Sequence, residues 1–134
     1  MKKIIRKKEI TQVKSQPFEP ATIGEPSTAD EYFRRGLAFY ARKQLSAAED
    51  DLKEAIARQS DLLDASYVMG MVLKSQGKKA EAILAFQHVL GLIGDQLNKH
   101  TARFDMLRRL ALGHINMINQ GDWNLEKEIW KRIA

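Results

Sequence analysis

From residue 28 onward the apolar positions recur at helical rather than strand spacing. Tyr32, Gly36 and Phe39 follow one another in that period, and so do Leu52, Ala55 and Ile56. Thr28 with Glu31, and Ser46 with Glu49, match the capping-box pattern, which predicts helix starts near residues 29 and 47. Gly77, followed by Lys78 and Lys79, predicts a tight turn, and Lys43 holds the matching place one hairpin earlier. Pro17, Pro20 and Pro26 all precede the first helix, so residues 15–27 read as an extended linker. No proline follows Pro26, and nothing interrupts a long series of helices. Gly-Asp-Trp at 121–123 predicts another turn, preceded by a long helix at roughly 96–120 and followed by a last helix at roughly 124–133.

These helices repeat. Gly36 and Gly70 lie 34 residues apart, and the same interval separates Phe39 from Leu73, Ala48 from Ala82, Leu52 from Phe86 and Ala55 from Val89. Gly36 with Ala48, and Gly70 with Ala82, are small enough for the two helices of a hairpin to cross closely. The pattern resembles the tetratricopeptide repeat (TPR), whose 34-residue unit is a helix–turn–helix. The resemblance covers residues 29–95 closely and 96–134 in part. It implies an all-α, right-handed α-solenoid of about three TPR-like hairpins on residues 28–134. The units fall at about 29–62, 63–95 and 96–134, with a lengthened first helix in the third. The sequence departs from the family at Lys43, where glycine is usual, and at Ser60 and Gly94, where a proline is usual.

The third unit leaves its register open. Counting back from Gly121 puts His114 at the crossing position, whereas Leu112-Gly113 matches the Leu-Gly pair of the motif. Glu126 stands where earlier units have Ala48 and Ala82, so a looser hairpin with His114 near Glu126 is expected. The last helix carries Ile129, Trp130 and Ile133; either Trp130 closes the core or that end packs on another chain.

The formal net charge of +5 over 134 residues raises nucleic acid as a partner. Its location changes that picture. Lys2, Lys3, Arg6, Lys7, Lys8 and Lys14 against Glu9 account for the whole surplus, and the rest of the chain is neutral. Residues 1–27 therefore read as a flexible basic tail and linker. The tail is either an electrostatic arm for nucleic acid or anionic membrane, or a solubilising end. It holds no Phe, Tyr or Trp before Phe18, which weakens single-strand base stacking. Ile4 and Ile5 are followed at once by Arg6, Lys7 and Lys8, so no secretory leader is recognised and a cytoplasmic protein is expected.

No catalytic chemistry stands out. The chain has no cysteine, and His88, His100 and His114 are not spaced as helical metal ligands. No glycine-rich phosphate loop is present, since Gly91 and Gly94 read as a helix end. Glu49, Asp50 and Asp51 suit a helix N-terminus, as do Asp61 and Asp64. No cofactor, metal or enzymatic activity is expected.

The resemblance instead implies a peptide-binding groove lined by the first helix of each unit. Its residues would be Phe33, Arg34, Leu37 and Tyr40, then Tyr67, Val68, Met71 and Lys74, with Asp30 and Asp64 at the edges. The third unit would add Ala111 with Leu112, Ile115 and Ile118, or with Leu110 and Met117 in the other register. Phe33, Leu37 and Val68 replace the Lys and Asn clamp of the chaperone-binding subfamily. A protein or peptide partner is therefore expected: the chain serves as scaffold, adaptor or chaperone-like holder of an apolar segment. Self-association is the rival, as is coverage of the groove by the long helix or by Phe18 and Ile23.

Overall fold

The computed structural model describes residues 19–94 and 102–125. These form five α-helices: α1 (Ala29–Ala41), α2 (Leu45–Arg58), α3 (Leu63–Ser75), α4 (Lys79–Gly94) and α5 (Ala102–Gln120). The chain is an all-α helical solenoid. α1 packs on α2 and α3 on α4; α3 also packs on α2, and α5 on α4.

Local chemistry sets where the helices start and stop. Thr28 caps α1: its hydroxyl accepts from the Glu31 N–H at 3.2 Å and donates to the Glu31 carboxylate at 3.1 Å. The second expected box does not form. α2 begins at Leu45 behind Gln44, which gives no side-chain cap, and Ser46 lies inside the first turn. Both hairpin turns end the preceding helix in one geometry. Gln44 N–H reaches Phe39 C=O at 2.9 Å and Lys43 N–H reaches Tyr40 C=O at 2.9 Å; Lys78 to Leu73 and Gly77 to Lys74 repeat the pattern. This motif needs a left-handed residue, supplied by Lys43 (φ 62), Gly77 (φ 79) and, after α5, Gly121 (φ 78). Lys43 alone of the three carries a side chain there, at a cost of about 1 kcal/mol.

The glycines set the hairpin crossings. A methyl at Gly36 would lie 3.1 Å from Leu52 Cγ, and one at Gly70 only 2.6 Å from the Phe86 ring. The glycines therefore meet Leu52 and Phe86, one turn beyond Ala48 and Ala82, the expected partners. Leu52, Val72, Phe86 and Val89 are fully buried among Ala48, Ala55, Ala65, Ala82 and Ala111.

Charged groups clasp the helices from the side. Arg35 donates to both Asp51 oxygens, at 2.7 and 2.8 Å, joining α1 to α2. Glu49 accepts from Lys53 at 2.6 Å and from Lys78 at 2.9 Å, joining α2 to the next hairpin. Glu49 and Asp51 are buried, whereas Asp50 is exposed. Expectation thus needs correcting here: two of these three acids hold neighbouring elements together. The two hydrogen bonds hold the Glu49 carboxyl down, to about 2.

The expected extended linker is in part a 3-10 turn, Pro20–Ile23, closed by Thr22 bonding to Glu19 C=O. Arg42 pairs with Glu19, and Arg58 donates to Ser27 C=O at 3.1 Å while stacking 4.9 Å over Tyr32. α5 is longer than α1 or α3, 19 residues against 13. Gly91 lies inside α4 rather than at its end. The basic tail, Phe18, Glu126, Ile129, Trp130 and Ile133 lie outside the described residues.

Candidate protein-binding groove

α1 and α3 are the first helices of the two described hairpins, α1–α2 and α3–α4, and α5 packs on α4 after them. On α1, Leu37 is 38% exposed, Phe33 and Tyr40 are half-buried against the core, and Arg34 is exposed. On α3, Tyr67, Val68 and Met71 are half-buried against the core, and Lys74 is half-buried. Tyr40 lies close enough to Tyr67 to act on its phenol, which burial first and Tyr40 second push up. Tyr40 of α1 and Tyr67 of α3 are thus near one another.

α5 joins them through a residue that sequence reasoning placed elsewhere. His114 is buried, stacked on the Phe86 ring at 4.8 Å between centroids, with Trp123 edge-on at 4.9 Å. Its Nε2 lies 3.1 Å from the Tyr67 hydroxyl and its Nδ1 3.1 Å from Lys74 Nζ. Burial, then the Lys74 charge, lower its pKa to about 4, so the imidazole is neutral at pH 7. Two groove candidates, Tyr67 and Lys74, are therefore engaged by α5.

A methyl at Gly113 would overlap the Trp123 ring, as methyls at Gly36 and Gly70 would crowd Leu52 and Phe86. Gly113 is the residue of α5 that the Trp123 ring approaches closely. Asn116 holds Trp123 in place by donating to the carbonyls of Trp123 and Asn124, at 2.9 and 3.1 Å. Aligning Gly113 with Gly36 and Gly70 puts His114 in the column of Leu37 and Met71. Leu110 is half-buried and Met117 is 38% exposed. Leu112 and Ile115, the candidates of the other register, are half-buried, with Ile115 packed against the core.

Asp64 pairs with Arg103 at the start of α5. His88 contacts Ser60 C=O at 3.1 Å on the outer helix α4. A separate cleft of about 520 Å³ lies between the 3-10 turn and α1, lined by Pro20, Arg35, Phe39 and Arg42. Arg35 and Arg42 are held there by Asp51 and Glu19, so neither charge is open. Ile23 belongs to this 3-10 turn, which packs on α1. Among the described residues no three His, Cys, Asp or Glu side chains form a metal-binding group. No described helix is long and apolar enough to cross a membrane.

Two stacked helical hairpins followed by a further packed helix define a helical-repeat scaffold. No family model matches the chain. It is 34% identical over 89 residues to DnaJ homolog subfamily C member 3 of Rattus norvegicus, a match covering 66% of this chain and 18% of that protein. It is also similar to a crystal structure of MamA, with a TM-score of 0.54 and 27% identity, covering 80% of this chain and 62% of that one. The chain thus spans less than a fifth of the first protein and about three fifths of the second. It is a repeat protein of the tetratricopeptide type.

Proposed function

We propose that this chain is a protein-interaction adaptor that holds an apolar peptide or helix in the groove of α1, α3 and α5. The observation that supports the reading is the apolar strip Phe33, Leu37, Tyr40 and Met71, left partly open after the core is filled. These side chains combine aromatic area with an adaptable thioether, which suits a segment whose side chains vary. Residues 28–134 are the binding domain in this reading, and residues 1–27 a basic arm beside it. The protein acts in the cytoplasm, without catalysis.

The test is retention of partner proteins on the immobilised full chain. Phe33→Ala combined with Met71→Ala abolishes retention if the groove holds the partner, while circular dichroism confirms a folded variant. Partners retained by that folded double variant contradict the groove.

A further inference from the structure

Lys74 and Tyr67 carry an inference that deepens, and rests on, the groove reading. Lysine offers only N–H donors, so its 3.1 Å contact makes Nδ1 of His114 the acceptor. The ring proton then resides on Nε2 and is donated to the Tyr67 hydroxyl oxygen, 3.1 Å away. Two donor sets remain unused. The Tyr67 hydroxyl proton has no acceptor among the described residues, where that oxygen meets only the donating imidazole. The Lys74 ammonium keeps two N–H groups, and no described carboxylate pairs with it. A half-buried cation whose partner is a neutral ring lacks the counter-charge such groups ordinarily have. The last turn of α3 suits a positive charge but does not neutralise it.

Arg34 is exposed one helix away on α1. Asp64, the acid on α3, is already taken by Arg103. Apolar side chains flank the site on both helices: Leu37 and Tyr40 on one, Val68 and Met71 on the other.

We propose that the Lys74 ammonium and the Tyr67 hydroxyl form a carboxylate-binding point in the groove, so that its occupant is an apolar segment bearing one acidic side chain. His114 is a positioning residue: it fixes both donors without touching the carboxylate.

Three fluorescent peptides test this against the full chain by anisotropy. The first is a blocked leucine- and alanine-rich helix with one central glutamate, and the second has glutamine in its place. The third is the glutamine peptide with a free C-terminal carboxylate. The glutamate peptide binds about tenfold tighter than the blocked glutamine peptide, and added salt erodes that advantage. Lys74→Met brings the ratio close to one, and Tyr67→Phe lowers it several-fold, each variant being checked for fold by its thermal melt. Because Lys74→Met also removes a donor from His114, the salt dependence on the unmodified protein stands as a second readout. Equal binding of the first two peptides overturns the carboxylate point and leaves the groove reading intact. A preference that survives Lys74→Met overturns the assignment to Lys74. An advantage confined to the free C-terminus overturns the choice of a side-chain acid. If none of the peptides binds, the groove reading fails as well.

Discussion

The two seams between successive units are built from different materials. Between the first and second units, buried Leu52, Ala55, Ala65 and Val72 make an apolar contact, with the Glu49–Lys78 ion pair alongside it. Between the second and third, a buried imidazole lies on Phe86 and is bonded on both nitrogens, to Tyr67 and to Lys74. The first arrangement is indifferent to pH above about 4.5, since its apolar packing carries no proton and Glu49 stays ionised there. The second holds only while His114 stays neutral, and it leaves polar donors at the floor of the groove. One repeat framework thus supplies a structural joint at one seam and a chemically specific surface at the other.

Substitution at matching positions probes that contrast most strongly. Leu52 and Phe86 occupy the same place in their units, each fully buried beneath a glycine. Leu52→Ala is expected to cost about 3 kcal/mol. Phe86→Ala is expected to cost about 4 kcal/mol and also to strip the ring from beneath His114. Urea unfolding measures both. If Phe86→Ala proves the milder change, the second seam is not organised around that ring.

Acid should act on the seams in separate windows. An unfolded histidine titrates near 6.5, whereas folded His114 resists protonation until about pH 4. Between those values the unfolded chain binds a proton that the folded chain refuses, so stability falls as pH drops through the window. Above 6.5 this group adds no slope. The expected loss is on the order of 2 kcal/mol, and His114→Gln removes that part of the slope. The Glu49 contribution has the same sign and is lost lower, from about 4.5 down to about 2. Thermal melts from pH 7 to 2 separate the two. An unchanged slope in His114→Gln would show that the imidazole is not held neutral.

The smallest effect concerns the first turn. Lys43→Gly removes the side chain from a left-handed backbone and should stabilise the chain by about 1 kcal/mol. A loss of stability in urea would mean that the lysine side chain contributes more than its backbone costs.

The repeat spacing made much of the fold legible, because each matched position has one physical duty. Gly36 and Gly70 have no side chain where Leu52 and Phe86 pass, Gly77 and Lys43 turn the chain, and Thr28 caps a helix. What escaped depends on contacts far apart in sequence. Glu49 and Asp51 resemble a helix-start cluster until Lys78 and Arg35 are found against them. Ser46 fits a capping pattern, but the helix starts one residue before it. His114 meets Tyr67 across 47 residues and Lys74 across 40, and no local pattern encodes that meeting. Nor does a local pattern announce that the Trp123 ring fills the space a side chain at Gly113 would occupy.

The central claim is that a partner occupies the inner groove rather than the outer surface. Leu37 on α1 and Leu84 on α4 are both exposed apolar side chains, one in the proposed groove and one on the outer helix. A photo-crosslinking residue placed at each position, in separate full-length proteins, asks the question directly with the glutamate-bearing peptide as probe. The account predicts crosslinking from position 37 and none above background from position 84. Crosslinking from 84 and not from 37 would contradict it.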